Sequence, residues 1–344
     1  MKNKKSSLFS NWQKFLYLLV FILLALAFWK FVLQNINGLN WAGWTGFGEY
    51  VSPTGEYYRA KTLWDWLQLL IVPVVIALGA WLLNKNEREN ERELAIKREL
   101  LDRDIALNKQ HQDTLESYFD RMSELLLEKE LRKAKHDDEV MSIARTRTLA
   151  VLRNVDGERK GQVVRFLREA NLLSLIGLDN ADLSGANLEN IDLSGATLKK
   201  ANLTHAKLIN SSLVSSNLQG AKLSYANLTD ANLRLTTLLT AIMNNANLER
   251  TNFGEANLSG SDLNYANFTN ASLIGANLSG ANLSNAIFSE AHLSLVKFGD
   301  ANISGTNFEG AFIRESDLRK VKGITSEQLS KAKSLEKSLL PENF

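Results

Sequence analysis

A large apolar residue recurs at every fifth position from Leu178 to Leu318. Two positions before each one stands a small residue, most often Ala, and the residue between them is usually Asn or Asp. A period of five fits neither the 3.6-residue turn of an α-helix nor the two-residue alternation of a β-strand. A short, strict repeat over a segment of this length predicts a solenoid.

The repeat also predicts how that solenoid is built. If the chain turns a corner every five residues, four repeats close one square coil, and the large and small residues both point inward. Successive coils should stack about 4.8 Å apart through parallel backbone hydrogen bonds. Phenylalanines twenty residues apart should then form an internal ladder. The core residues predicted in this way include Leu183, Leu188, Leu193, Phe268, Phe288 and Phe308.

The repeat, which reads A-D-L-S-G, A-N-L-E-N and I-D-L-S-G from Ala181 onward, resembles the pentapeptide repeat proteins. That resemblance implies an all-β, right-handed quadrilateral β-helix of about seven coils. The flanking runs T-L-W-D-W-L-Q-L-L-I-V-P (62–73), D-R-M-S-E-L-L-L-E-K (120–129) and R-T-L-A-V-L-R-N-V-D-G-E-R-K-G (147–161) are similar to a bacterial family of membrane-anchored pentapeptide repeat proteins. In that family two membrane helices and a helical linker precede the repeats, and the resemblance brings no catalytic motif.

Two apolar runs, residues 12–33 and 63–83, are each long enough to cross a bilayer as a helix. Lysines precede the first run and Lys85, Arg88 and Arg92 follow the second, so the positive-inside rule places both termini in the cytoplasm. We therefore expect a multi-pass protein of the bacterial inner membrane. The run Ala25-Leu26-Ala27 leaves cleavage of a signal peptide open, although the apolar stretch continues beyond it.

A long helix without Pro or Gly is predicted for residues 84–135, and its apolar residues follow a heptad pattern. Such a seam predicts a short coiled coil and a homo-oligomer. The alternative is a helix that folds back on its own neighbours. The predicted seam consists of Leu94, Leu101, Ile105, Leu115, Phe119, Met122 and Leu126.

The two open ends of a solenoid need caps, because unpaired backbone edges promote aggregation. Two short helices within residues 136–174 should cap the first coil. A C-terminal capping helix is expected in residues 323–344, with Thr325 and Gln328 as its capping box. The predicted organisation is an N-terminus 1–11, membrane helices 12–33 and 63–83 with an external loop 34–62, a helical linker 84–135 and 136–174, a β-helix 175–322 and a cap 323–344.

Composition gives little sign of chemistry. The net charge of +2 is nearly balanced, cysteine is absent, and the four histidines are scattered without metal-ligand spacing. No nucleophile elbow, phosphate loop or zinc pattern is present. We therefore expect no enzyme activity and no cofactor. Residues 179–320 hold 13 acids and 10 bases, so we also expect no nucleic-acid partner.

Departures from the repeat carry more functional information. Leu235, Leu239 and Ile242 occupy outward positions that are elsewhere polar, and exposed apolar residues mark contact surfaces. The sequence favours a non-enzymatic, membrane-anchored scaffold that presents a rigid rod to a cytoplasmic protein. One alternative is an oligomeric channel or membrane-perturbing effector. Another is a DNA mimic that inhibits topoisomerase, as some pentapeptide repeat proteins do, which the balanced charge disfavours.

Overall fold

The computed structural model describes residues 50–51, 53–58, 63–135 and 138–342. The first predicted membrane helix, residues 12–33, and the Ala25–Ala27 motif lie outside the described residues. The chain divides into two units, Met1–Glu99 and Leu100–Phe344.

In the first unit, a two-stranded antiparallel hairpin lies within the segment predicted as an external loop. Its strands are β1 (Tyr50–Val51) and β2 (Tyr57–Tyr58). Helix α1 (Leu63–Leu127) begins in this unit and continues into the second. Of the helices in the described ranges, α1 is the one long and apolar enough to span a membrane, judged by length and composition alone. The side chains of its apolar stretch are not buried within the chain.

The second unit begins with a helical cluster. After α1, a 3-10 turn (Leu131–Lys133) leads to α2 (Glu139–Asn154), α3 (Gly157–Glu169) and the single turn α4 (Leu173–Ile176). These elements share a buried core with the end of α1. The core includes Leu115, Met122, Leu131, Leu152, Val163, Val164 and Leu167.

This packing corrects the coiled-coil prediction for the C-terminal half of the seam. Leu115 and Met122 are buried inside the chain, and the ring of Phe119 lies 5.0 Å from that of Phe166 on α3. Leu126 is half-buried against the same core. The apolar faces of α2 and α3 follow closely in sequence, so an intramolecular contact forms without the entropy cost of bringing two chains together.

The first half of the seam has no such cover. Leu94, Leu101 and Ile105 are all more than half exposed. The fold-back alternative therefore holds for residues 115–126, and the seam of residues 94–105 remains unpartnered within the described chain.

The repeat segment forms the solenoid that its period predicts. Parallel bridges join residues twenty apart, from Asp182 and Asn202 to Asn302 and Lys322. Each bridge is isolated, since only one residue of a five-residue face can pair before the chain turns at a left-handed corner. The structure therefore has coils held by single-residue bridges where the sequence predicted regular β-structure.

The interior of the solenoid is filled by the large and small residues of each repeat. Leu183, Leu188 and Leu193 are fully buried. Phe288 stacks on Phe268 at 4.5 Å with an interplanar angle of 8°, and on Phe308 at 5.8 Å and 17°. Where Ser or Thr replaces the small Ala, its hydroxyl donates to a backbone carbonyl, so no buried donor is left unpaired.

Helix α3 covers the first coil at very short range. The backbone N–H of Asn187 donates to the carbonyl of Gly157 at 2.9 Å. Lys160, almost fully buried, donates to the carbonyl of Ser184 at 3.0 Å. A Cβ atom at Gly157 would lie 2.0 Å from the carbonyl oxygen of Gly185, and one at Gly161 would lie 2.1 Å from that of Asn187. The cap therefore needs glycine at both positions.

The C-terminal cap differs from its prediction. Thr325 and Gln328 form the capping box, but the helix it starts, α5, covers only Ser326–Ser330. The Gln328 amide also donates to the carbonyls of Ile303 and Thr306, at 2.9 Å each. This short helix is therefore attached to the preceding coil through the side chain of Gln328.

After α5 the chain resumes solenoid pairing, so the predicted long capping helix is wrong. Ser334 bridges to Phe312 and Leu339 to Asp317, each across 22 residues. The physical reason is that Leu335 and Leu340 are again five apart and can enter the coil interior, and the turn of helix adds two residues to this coil.

The glycine contacts give a stability prediction. We expect Gly161→Ala to lower the free energy of unfolding by about 1 to 3 kcal/mol, because its methyl group would overlap the first coil. Helix propensity alone would favour Ala by about 1 kcal/mol. Denaturant unfolding followed by circular dichroism measures the change, with the neighbouring exposed Gln162→Ala as control. Equal or greater stability of Gly161→Ala would contradict the close approach of α3.

Candidate interaction surface

The three residues predicted as an interaction surface lie at different places on the coil. Leu235 is at the corner before the face centred on Leu238, and its side chain is 45% exposed. Leu239 follows Leu238 at the other side of that face and is half-buried. Ile242 lies on the next face, where it bridges Lys222 and Asp262, and is 39% exposed. The three residues therefore lie on two adjacent faces of one coil rather than on a single face.

Two residues that the sequence analysis missed lie along the same corner as Leu235. Corner positions repeat every twenty residues, so Leu295 lies three coils from Leu235 in one column. Ile274 precedes the corner residue Gly275 of the same column. Ile274 is 46% and Leu295 52% exposed. Leu235, Ile274 and Leu295 together are called the apolar corner below.

A sequence signal for these residues does exist. Both Ile274 and Leu295 stand one or two positions after a central Leu, where the repeat most often holds Ser, Thr, Gly, Asn or a charged residue. Coil register is needed to see that they align with Leu235, since Leu235 and Leu295 are sixty residues apart along the chain.

The backbone at the apolar corner adds a second observation. Leu235 and Leu295 have φ values of 59° and 60°, in the left-handed region. Many other corners of the solenoid hold Gly or Asn, which adopt this conformation readily. Of the described non-glycine residues with positive φ, these two are the aliphatic ones. The left-handed backbone is common to the corners of the solenoid, so the distinguishing feature of these two corners is a half-exposed aliphatic side chain.

The charged groups beside this corner are paired. Arg234, next to Leu235, forms an ion pair of 2.7 Å with Glu255 in the following coil. Arg314, in the coil after Leu295, lies 3.8 Å from Glu336. Glu255 occupies the corner position between Leu235 and Gly275, so the apolar side chains of this column are interrupted by one charge, and that charge is paired with Arg234.

A second exposed column lies on a different corner. The rings of His205 and Tyr225 stack at 5.1 Å with an interplanar angle of 13°, and Tyr265 lies two coils further along. Both tyrosines are more than half exposed. Aromatic rings of this kind are common in protein contact surfaces.

The cations of the helical cap are engaged in structural contacts. Arg159 donates to Asp156, the N-cap residue of α3, and to Asn108 of α1 at 3.1 Å. Burial raises the pKa of Asp156, but its hydrogen bonds from Arg159 and from His111 outweigh burial, and the pKa lies below its usual range. The same balance holds for Asp182, where burial is outweighed by hydrogen bonds from Ser184 and the charge of Lys160, so that its pKa is also lowered.

The described residues contain no group of three or more His, Asp or Glu side chains arranged to hold a metal ion. An open cleft of about 670 Å³ lies beside the C-terminal cap and is lined by Thr306, Asn307, Glu309, Gln328 and Lys331. The Gln328 amide there is already bonded to backbone carbonyls.

Comparison with known families identifies the repeat segment. The model for pentapeptide repeats matches eight copies, in residues 178–213, 216–254, 241–280, 251–289 and 281–319. This match confirms the pentapeptide repeat assignment for that part of the chain. No curated protein matches the chain.

Several solved structures are similar to it. One is HetL from the cyanobacterium Nostoc sp. strain PCC 7120, a pentapeptide repeat protein involved in regulation of heterocyst differentiation. The two sequences are 23% identical, and the match covers 53% of this chain and 98% of HetL with a TM-score of 0.26. A pentapeptide repeat protein of the Arabidopsis thaliana thylakoid lumen is 29% identical over 31% of this chain and 68% of its own, with a TM-score of 0.23. QnrB1, a plasmid-mediated fluoroquinolone resistance protein, is 19% identical over 48% and 87%, with a TM-score of 0.30.

The strain at the apolar corner is testable. Replacing Leu235 and Leu295 by Asn should raise the free energy of unfolding by up to about 1 kcal/mol per site, because Asn tolerates the left-handed conformation. The matched control is Ile274→Asn, at an exposed position of the same corner whose φ is not positive. Denaturant midpoints measure both. Destabilisation by Leu235→Asn would show that its side chain packs in a way that offsets the strain.

Proposed function

We propose that this chain is a non-enzymatic, membrane-anchored scaffold that presents its pentapeptide-repeat solenoid to a protein partner. The observation that carries the proposal is the apolar corner, where two leucines occupy half-exposed positions with a left-handed backbone that Gly or Asn would adopt more readily. Exposed aliphatic side chains at such positions are best explained by contact with another molecule.

The membrane part of the proposal rests on α1. Residues 69–83 contain no charged side chain, and apart from the partly buried Ile71 their apolar side chains are exposed. An exposed apolar stretch of this kind is stable in a lipid bilayer and costly in water. With the predicted helix at residues 12–33 it would form a two-helix anchor in the bacterial inner membrane, with both termini in the cytoplasm.

The solenoid suits a display role because its backbone pairing is continuous. Hydrogen bonds join each coil to the next on every face, and the core is filled by fully buried side chains. Packing at this density transmits strain and resists deformation. The apolar corner would therefore keep a fixed geometry, which lowers the ordering cost of binding a partner.

Self-association through the linker belongs to the same proposal. Leu94, Leu101 and Ile105 are exposed, and a second copy of the chain is the partner we propose for them. Several anchored copies would present several apolar corners to one partner and so raise the effective affinity.

The two alternatives have less support. A channel needs polar or charged groups facing a pore, and residues 69–83 of α1 offer none that is charged. A DNA mimic needs a strongly anionic surface. Along the solenoid, acidic residues are paired with basic ones, as Asp230 is with Arg250 and Asp317 with Arg319, which lowers the negative charge of the surface.

Membrane retention by α1 can be tested in chains that start at residue 63. With only α1 as an apolar segment, such a chain should resist extraction from membranes at high pH. Val75→Asp with Leu78→Asp should release it, because two charges within the apolar stretch oppose insertion. Asn84→Asp, just beyond the stretch, is the control. Release of the unmodified chain would contradict anchoring by α1.

Partner capture distinguishes the apolar corner from the other two residues predicted as an interaction surface, Leu239 and Ile242. We expect Leu235→Lys with Leu295→Lys to reduce crosslinking of partner proteins in intact membranes by ten-fold or more, as loss of central contacts does. The pair Leu239→Lys and Ile242→Lys adds the same charges on either side of the next corner, at Thr240, and should have little effect. Circular dichroism checks that each solenoid is folded. Equal capture by both pairs would reject the apolar corner as the contact surface.

A further inference from the structure

The exposed stretch of α1 carries two apolar stripes, and they differ in the charges beside them. The first stripe is the unpartnered seam of Leu94, Leu101 and Ile105. The second, on another side of the helix, consists of Ile96, Leu100 and Leu107, which are also exposed. All side chains of residues 91–110 are exposed, so neither stripe is covered by the described chain.

We propose that residues 94–109 form a parallel, in-register two-stranded coiled coil with a second copy of this chain, through the Leu94, Leu101 and Ile105 stripe. The proposal deepens the self-association proposed above and rests on it. It assigns the partner, the number of strands, their direction and the face that pairs.

The residue types on the first stripe favour two strands. In a heptad with Leu94 and Leu101 at position d, Ile105 occupies position a. Ile at a with Leu at d favours parallel dimers over higher oligomers. Arg98 occupies the other a position and lowers stability, as a polar core residue does, while limiting the registers that can form.

The flanking charges select both the register and the stripe. In a parallel coiled coil, a residue at position g faces the residue at position e five places later on the partner. On the first stripe this pairs Lys97 with Asp102 and Asp104 with Lys109, which are both opposite in charge. None of these four residues forms an ion pair within 4 Å with another described residue.

The second stripe gives the opposite result. If Ile96, Leu100 and Leu107 formed the seam, the same rule would place Arg92 against Lys97 and Glu99 against Asp104. Both pairs carry like charges, which destabilise a homodimer. Charge complementarity therefore favours the first stripe.

The end of the coiled coil is set by the fold of the second unit. The next seam position, Asn108, accepts hydrogen bonds from Arg159 of α3, at 3.1 Å to its side chain and 3.2 Å to its carbonyl. From Leu115 onward the seam is buried under α2 and α3. The intermolecular contact is therefore confined to the stretch between the apolar run and this intramolecular packing.

Single cysteines test the register directly, because the chain has no cysteine of its own. Leu94→Cys and Leu101→Cys are made separately in the full chain, and native membranes are treated with a mild oxidant. A parallel, in-register pair brings each d position beside its own counterpart, so both variants should form disulfide-linked dimers. Ala106→Cys, on the outer side of the helix, and Leu100→Cys, on the second stripe, should link at least ten-fold less.

A charge exchange provides the second measurement. In the Leu101→Cys background, Lys97→Asp should reduce crosslinking roughly five-fold by facing Asp102 of the partner copy, and adding Asp102→Lys should restore it. Efficient linking at only one of Leu94→Cys and Leu101→Cys would show an antiparallel crossing and overturn the proposal. So would linking at Leu100→Cys or Ala106→Cys equal to that at Leu101→Cys.

The outcome can be separated from the scaffold proposal. If no d-position variant links, but the chain purified in detergent has the mass of an oligomer, self-association stands and this coiled coil is overturned. If the chain is a monomer in detergent and in membranes, both are overturned, while anchoring and partner capture are measured independently.

Discussion

Backbone pairing between residues twenty apart is the constraint on which the repeat domain depends. Each face contributes hydrogen bonds to the coil before it and the coil after it, such as Leu193 N–H to Ser212 and Ser212 N–H to Ile191. Because a face has only five residues, the chain must turn at once, and the turn needs a left-handed residue. The same geometry favours a small residue at the other inward position of each repeat, because the coil is narrow; Ile191 and Val296 are larger residues that it also accommodates.

Because each coil pairs with its neighbours, the two end coils each have one edge without a neighbouring coil. An end coil has unpaired donors and acceptors that promote aggregation. At the N-terminal end α3 covers them by direct backbone contact, for which Gly157 and Gly161 are needed, and by the buried cation of Lys160. At the C-terminal end one helical turn and the Gln328 amide cover part of the edge, and the last residues then return to the coil. Lys160 and Arg159 within the cap therefore both make structural hydrogen bonds.

The function proposed above is assigned to departures from the repeat. A pentapeptide corner favours Gly or Asn, so Leu235 and Leu295 are choices against local stability. A similar division runs along α1. Its seam is used twice, first as an exposed stripe suited to another copy of the chain, and then as the packing face for α2 and α3. Together they place candidate contact surfaces for the lipid bilayer, a second copy and a protein partner on one chain.

The sequence by itself determined the solenoid, because a strict five-residue period leaves one way to bury Leu and Ala together. It also determined the Phe268–Phe288–Phe308 stack, which follows from a twenty-residue coil, and the capping box of Thr325 and Gln328, which is a local interaction. Only the tertiary structure decided how far the coiled-coil seam is free, since periodicity cannot distinguish a partner chain from α2 and α3. Likewise, the alignment of Leu235 with Leu295 depends on the stacking of coils, which brings together residues sixty apart in the chain. Leu335 and Leu340 return to the coil because residues 334 and 339 pair with the last open edge of the solenoid instead of continuing the helix.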